Sequence, residues 1–338
     1  MKVLLYAEGL KAIGKSGLGK AIQHQMKALE DEGIEYTLDP KDEDYDILHI
    51  NTWFLKSCAF ASHAKKMGKK IVYHAHSTEE DYKNGFILAN QTSKIIRKWL
   101  IKCYSLGDVI ITPTIYSKRL LENYEGLENK KIYAISNGID LDFFKPNKEY
   151  GKEFREKYGY TDKDKVIVGI GLYIERKGIV DFVELAKRMP EYKFIWFGHS
   201  PLAAATKPVV DAVKTKLDNL IFAGYVEKDM IRAALNGCDL YIFPTLEETE
   251  GIPIIEAMAC KTPSIVRDIP IFDEWLVEGK NMYKAKDVDA FEEKIRKILE
   301  GQLPSLVENY KSVVEERDMK NIGKKLREVY EELLKNDN

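Results

Sequence analysis

The strongest constraint on this chain is a sustained alternation: short apolar runs of strand type are each followed by a longer stretch whose apolar residues recur at helical spacing. The runs fall near 2–7, 34–38, 46–50, 70–74, 108–112 and 131–135, and then, after a break, near 166–171, 193–197, 219–222, 239–243 and 263–266. Strands buried on both faces read as continuous apolar runs, and a parallel neighbour needs a crossover of about a dozen residues or more. The pattern therefore predicts parallel sheets covered by helices, and its two series predict an α/β chain of two doubly wound domains. The break is Asn137-Gly-Ile-Asp-Leu-Asp-Phe-Phe-Lys-Pro146, where Asn-Gly marks a turn and Pro146 stops regular structure. It is the expected hinge between domains at 1–145 and 146–317. Ile322, Leu326, Val329, Tyr330 and Leu333 then share one helical face, which predicts an amphipathic helix over about 318–338.

With 338 residues, 45% of them hydrophobic and 31% charged, the chain has material for two cores. A formal net charge of −2 argues against general nucleic-acid binding. Cys58, Cys103, Cys238 and Cys260 form no Cys-x-x-Cys pair and are expected to be buried thiols of a reducing compartment. The opening Met1-Lys-Val-Leu-Leu-Tyr-Ala7 reads as a strand rather than a signal peptide, and no run approaches the ~18 apolar residues of a membrane span.

The segment Pro244-Thr-Leu-Glu-Glu-Thr-Glu-Gly-Ile-Pro-Ile-Ile-Glu256-Ala-Met-Ala-Cys260 carries the most chemistry. An apolar strand ends at Pro244, and Ile252 to Cys260 reads as a helix with Pro253 in its first turn. The unpaired N–H groups of Glu250, Gly251 and Ile252 would favour an anion such as a diphosphate, and Gly251 clears its approach. Glu248 falls in the loop and Glu256 early in the helix. Each carboxylate can accept two hydrogen bonds from a vicinal diol. The competing reading, that Glu256 only complements the helix dipole, is worth about 0.3–1 kcal/mol. It does not account for three like charges at Glu247, Glu248 and Glu250.

On this motif the chain resembles the retaining glycosyltransferases of family 4, which have the GT-B fold and carry Glu-x7-Glu followed by Ala-Met-Ala. Ser136-Asn-Gly-Ile-Asp140, Arg176-Lys-Gly178 and Phe222-Ala-Gly-Tyr-Val226 extend the resemblance through most of the chain. It is nearest to the Gram-positive branch that glycosylates monoglucosyl-diacylglycerol. The resemblance implies two Rossmann-like domains facing a cleft. Residues 1–145, with the last helix packed back on them, would bind the acceptor, and 146–317 the nucleotide sugar. It implies that Glu256 holds the ribose, that Glu248 contacts the donor sugar and pyrophosphate, and that Thr249, Glu250, Gly251 and Ile252 hold the donor with backbone groups. Gly198 and Tyr225 join the donor-binding set on the same ground. No metal or other cofactor is expected, since the fold does not usually need one and no Asp-x-Asp motif is present.

Other motifs point to the same chemistry. Gly14-Lys-Ser-Gly-Leu-Gly19 lies between the first strand and a helix containing Ala21 to Leu29, so Ser16, Gly17 and Gly19 are candidates to meet donor phosphates or acceptor. A plain tight turn is the alternative, and the spacing differs from the Gly-x-Gly-x-x-Gly of dinucleotide folds. Arg176 and Lys177, before a helix beginning at Gly178, can neutralise a departing diphosphate. The family places a further arginine where this chain has Leu172, and Arg176 is the candidate replacement. His76 aligns with a family histidine near the donor sugar, while His74 and His76 lack further ligands at zinc spacing. Between Lys94 and Tyr104 a helix presents Lys94, Arg97, Lys98 and Lys102 with Trp99 nearby, a pattern suited to an anionic membrane or to an ordinary surface helix.

The expectation is a retaining enzyme moving glucose or galactose from a UDP-sugar to monoglucosyl-diacylglycerol at the cytoplasmic membrane face. Glu248, His76, Arg176 and Lys177 would be its catalytic residues. A family 4 enzyme with a soluble acceptor and a non-catalytic UDP-binding module are the alternatives.

Overall fold

The computed structural model describes residues 1–14 and 16–335. The chain packs as two compact units: Met1–Glu80 with Thr92–Asp140 and the chain from Glu316 onward, and Asp81–Gln91 with Leu141–Glu315. It passes between them at Asp140 and Glu316, and also through the excursion Asp81–Gln91, which lies within the first domain's span by sequence but packs with the second unit.

The first unit holds β1 (Lys2–Tyr6), β2 (Glu35–Thr37), β3 (Ile47–Ile50), β4 (Lys70–His74), β5 (Val109–Thr112) and β6 (Lys131–Ala134). They form one parallel sheet in the order β2-β1-β3-β4-β5-β6. One face is covered by Cys58, Ala61 and Ala64 from one helix and Leu100, Cys103 and Tyr104 from another. The opposite face is covered by Ala28 and Leu29 together with Ile322, Leu326, Val329, Tyr330 and Leu333 of the helix Met319–Lys335. Gly323 permits that pairing, because a Cβ there would come within 2.5 Å of the Ala28 carbonyl. Residues 336–338, expected in the same helix, lie outside the described residues.

The second unit holds β7 (Val166–Ile170), β8 (Lys193–Phe197), β9 (Leu220–Gly224), β10 (Leu240–Phe243), β11 (Ser264–Arg267) and β12 (Tyr283–Ala285). They form a second parallel sheet in the order β12-β11-β10-β7-β8-β9. β12 is absent from the sequence expectation, since three residues with a central Lys284 present no apolar run. In both sheets the order departs from sequence order beside the first strand, which is where open α/β sheets bind ligands beyond their carboxyl ends. Cys58, Cys103 and Cys260 are buried, Cys238 is half-buried, and all four are free thiols.

Candidate functional site

The site is assembled by loops leaving the carboxyl ends of neighbouring strands β10, β7, β8 and β9. After β7 the chain makes a tight 3-10 turn at Glu175–Lys177 and enters the helix Ile179–Arg188 through Gly178. Gly178 has φ +74, and a Cβ there would lie 2.1 Å from the Pro244 carbonyl oxygen, so the approach of the two loops demands glycine. The loop after β10 is tied to this turn. Leu246 N–H and Thr245 Oγ1 donate to the Arg176 carbonyl at 2.7 and 3.1 Å, and Arg176 Nη1 donates to the Glu247 carbonyl at 2.7 Å. From β11, Arg267 clamps the loop's first carbonyl, Pro244, with Nε at 3.1 Å and Nη2 at 3.0 Å, and pairs with Asp181.

This interlock brings Arg176, Lys177 and Glu248 together. Glu248 is 7% exposed, forms an ion pair with Lys177, lies 3.9 Å from Arg176 Nη1 and accepts from Thr245 Oγ1 at 3.2 Å. Burial holds the Lys177 ammonium below its ordinary range, with Glu248 opposing the drop and Arg176 adding to it. Burial alone would push Glu248 upward, but Lys177, Arg176 and its hydrogen bonds outweigh that and hold the carboxyl below its usual range. Within the acidic cluster the Glu248 charge is thus met by cations 71 and 72 residues earlier in the chain, a pairing the sequence does not suggest. The Arg176 Nε is buried without an acceptor, a spare donor inside the site. Leu172, in the position of the family arginine, is half-buried.

Gly251, at φ +93, opens the helix Ile252–Ala259, and Phe243 would crowd any side chain there at 3.0 Å. Thr249 is half-buried, Glu250 and Ile252 are buried, and Glu256 is fully buried in the helix's second turn. Both motif glutamates act on one group that sequence reasoning missed. The phenol of Tyr241 is buried without a hydrogen-bond partner, and its pKa is raised by burial, then by Glu256 and Glu248. No alternation along β10 could have singled it out, since all four of its residues are buried. Gly198, at the end of β8 with φ +118, is required by close packing, since a Cβ would sit 2.1 Å from the Gly171 carbonyl oxygen. Tyr225, just past β9, is 42% exposed. Asn84 also joins the site, its carbonyl accepting from Arg176 N–H at 3.0 Å.

In the first unit His76 lies beyond β4 and stacks on His74 at 4.0 Å with a 9° tilt. His74 Nδ1 lies 3.2 Å from His49 Nε2, and His49 Nδ1 lies 2.6 Å from the Tyr330 hydroxyl, with Gln25 alongside at 2.9 Å. Burial pushes His49 and His76 down to about 3 and His74 well below its ordinary value, so all three rings are neutral near pH 7. His76 Nε2 is 2.9 Å from Asn51 Oδ1, and Asn51 Nδ2 and His74 Nε2 are buried without partners. The rings stack instead of converging on a point. Among the described residues no group of three or more His, Cys, Asp or Glu is arranged to hold a metal ion.

The glycine loop departs from expectation. A short helix, Leu10–Ile13, intervenes between β1 and the loop, and Lys15 of the motif lies outside the described residues. Ser16 caps the helix Gly17–Asp31, its hydroxyl accepting from Gly19 N–H at 3.3 Å and donating to the Ile13 carbonyl at 2.6 Å. Part of the helix's anion-binding capacity is therefore met by a side chain. Gly19 is needed for packing, a Cβ coming within 2.4 Å of the Ile13 carbonyl oxygen, whereas Gly17 is open.

The membrane candidates divide. Lys94, Lys98 and Lys102 are exposed on the helix Ala89–Tyr104, and Ile95 among them is 68% exposed. Arg97 instead turns inward to Glu79 at 3.5 Å and over the Tyr124 ring at 4.4 Å. Trp99 is half-buried and donates to the Trp53 carbonyl at 2.7 Å. Helical spacing does not reveal these two commitments. Among the described residues no helix is long and apolar enough to cross a membrane. A cavity of about 260 Å³ lies at the amino ends of the second sheet's strands, between Lys165, Asp239, Ser264 and Tyr283, and shares no residue with the site above.

Comparison with known proteins accords with this geometry. The family described as Glycosyl transferases group 1 matches residues 151–325, and Glycosyltransferase Family 4 matches residues 39–143. The chain is 40% identical over 337 residues to the processive diacylglycerol alpha-glucosyltransferase of Acholeplasma laidlawii, covering 99% of each protein. It is 25% identical over 240 residues to the alpha-galactosylglucosyldiacylglycerol synthase of Streptococcus pneumoniae, covering 69% of this chain and 63% of that protein. Anabaena HepE, solved in complex with UDP-glucose, superposes with a TM-score of 0.77 at 18% identity, over 98% of this chain and 100% of that one. The chain belongs to the GT-B glycosyltransferases of group 1 and family 4.

Proposed function

We propose that the protein is a retaining hexosyltransferase that moves glucose from UDP-glucose to monoglucosyl-diacylglycerol at the cytoplasmic face of the membrane, with galactose as the alternative donor sugar. The observation that carries the donor half of this reading is the cluster of buried Glu248 with half-buried Lys177 and Arg176 beside the start of the helix Ile252–Ala259. Two cations and a spare Arg176 Nε donor suit a diphosphate. The acceptor half rests on 40% identity, over nearly the whole of both chains, to a protein named for glucosylating diacylglycerol.

In the proposed reaction the bond from sugar C1 to the β-phosphate oxygen breaks, and a bond from C1 to the acceptor hydroxyl oxygen forms on the same face. The acceptor proton passes to the departing phosphate, leaving UDP. Lys177 and Arg176 meet the charge of that leaving group, a task the proposal assigns to them and not to a metal ion. Glu248 orients the donor sugar, Glu256 holds the ribose, and residues 249–252 hold the donor through their backbone. His76, neutral and hydrogen-bonded to Asn51, offers a polar contact without charge. Ser16, Gly17, Gly19, Gly198 and Tyr225 complete the proposed donor set, and Lys94, Lys98 and Lys102 the membrane contact. No nucleic acid is a proposed partner.

The test is product analysis by NMR after incubation with each UDP-sugar and monoglucosyl-diacylglycerol in anionic vesicles. An α-linked diglycosyl lipid formed in EDTA is expected, and Lys177→Ala should lower kcat/KM about 10²–10³-fold. No lipid product from either donor, by an enzyme that binds UDP, would sink the proposal. Product on a soluble acceptor alone would favour the soluble-acceptor enzyme.

A further inference from the structure

We propose that Phe86, Ile87 and Leu88 form a wedge that enters the acyl region of an anionic bilayer and holds the donor site at the lipid surface; the inference rests on the glycolipid reading above. These three consecutive large apolar side chains are 46%, 54% and 61% exposed. A run of this kind on a folded surface marks an interaction site.

The segment is built to keep them outside. Asn84 and Leu88 both adopt left-handed backbone, at φ 57 and φ 66, a conformation that a leucine tolerates only where its surroundings impose it. Asn84 N–H donates to Asn90 Oδ1 at 3.0 Å, and Asn90 Nδ2 donates to Asn84 Oδ1 at 2.9 Å, which closes the base of the loop like a clasp. The loop is also fixed to the donor site. The Asn84 carbonyl accepts from Arg176 N–H, Ile87 N–H donates to the Ala204 carbonyl at 3.4 Å, and the Asp81 charge acts on Lys177. A position gained by residues 86–88 is thereby transmitted to the turn carrying Arg176 and Lys177.

Charge identifies the occupant. From Lys83 to Tyr104 the sequence holds Lys83, Lys94, Arg97, Lys98 and Lys102 and no acidic residue. Lys94, Lys98 and Lys102 are exposed, with Ile95 between them on the same helix. Along the sequence the apolar run is followed within a few residues by lysines and by no acidic residue, a composition suited to a bilayer with anionic headgroups.

The test uses the full chain with Phe86→Ser, Ile87→Ser and Leu88→Ser combined. It measures co-sedimentation with phosphatidylglycerol-containing and pure phosphatidylcholine vesicles, the apparent KM for vesicle-borne acceptor, and UDP binding. We expect partition onto anionic vesicles to fall at least ~10-fold, apparent KM to rise by a similar factor, and the UDP Kd to stay within about twofold. A second variant, Ile87→Trp, should show blue-shifted emission with anionic vesicles, which keeps the test valid if the triple variant misfolds. Unchanged partition with no Trp shift overturns the wedge. So does a variant whose only change is loss of self-association in sedimentation velocity. If wild type makes no glycolipid but the triple variant still loses vesicle binding, the glycolipid reading fails and the wedge stands.

Discussion

Replacing Glu248 with Gln should destabilise the protein without ligand yet tighten its hold on UDP. Glu248, itself buried, is the counter-charge for the half-buried Lys177 and the partner of Arg176. Removing one member of a buried ion pair typically costs about 3–5 kcal/mol, because the other charge is left uncompensated. Glutamine preserves the volume and an acceptor for Thr245, so the lower end, about 3 kcal/mol, applies. At roughly 2–4 °C per kcal/mol, the second unit should melt about 6–12 °C lower in a thermal scan. UDP restores a counter-charge to Lys177, so the bound state escapes most of this penalty. Its Kd should fall by at least ~10-fold, a factor equal to about 1.4 kcal/mol, while turnover drops because the sugar is no longer oriented. The pH dependence has a definite sign. In the variant Lys177 lies still further below its ordinary value of 10.5, so the unfolded chain binds more protons and stability rises with pH. The gap to wild type should therefore narrow as pH rises from 7 to 9. Calorimetric titration of UDP alone, without sugar, isolates the ion pair. A variant that melts within about 1 °C of wild type, or binds UDP no better, would falsify the assignment of Glu248 as the counter-ion of Lys177.

Two further outcomes can be checked. Gly178→Ala forces a Cβ against the Pro244 carbonyl and strains a left-handed backbone, so it should cost about 1–3 kcal/mol or more and lower kcat/KM about 10²-fold by displacing the turn; denaturant melts and steady-state kinetics read both, and wild-type values in both would refute the interlock. His49, His74 and His76 stay unprotonated in the folded first unit while their unfolded counterparts take up protons below about pH 6.5, so stability should fall as pH drops through that value, and His49→Gln should flatten the slope of urea stability between pH 6.5 and 5 by about one proton. An unaltered slope would contradict the neutral stack of buried His49 and His74 with half-buried His76.

The architecture was legible wherever a strand is buried on both faces. β3, β5, β10 and β11 are buried at every position and dominated by apolar residues because parallel sheets have helices on each side. β12 was not legible, since Tyr-Lys-Ala carries too few apolar residues to register. The motif Glu248 to Glu256 could be placed on a loop and a helix start because Pro244, Gly251 and Pro253 punctuate the backbone locally. The inward turn of Arg97 and the Trp99 bond to Trp53 could not be read, because helical periodicity reports which residues share a face and not what lies opposite.

The sequence by itself determined two parallel-sheet domains and the glutamate motif, because periodicity and turn chemistry act over a few residues and need no distant partner. Only the tertiary structure decided that Glu248 is neutralised by Lys177 and Arg176, that Tyr241 lies under the influence of both glutamates, and that Asp81–Gln91 leaves its sequence neighbours to brace the second unit. These pairings join residues tens of positions apart. They depend on which strands lie side by side and how closely their loops approach, and that is set by packing of the whole sheet.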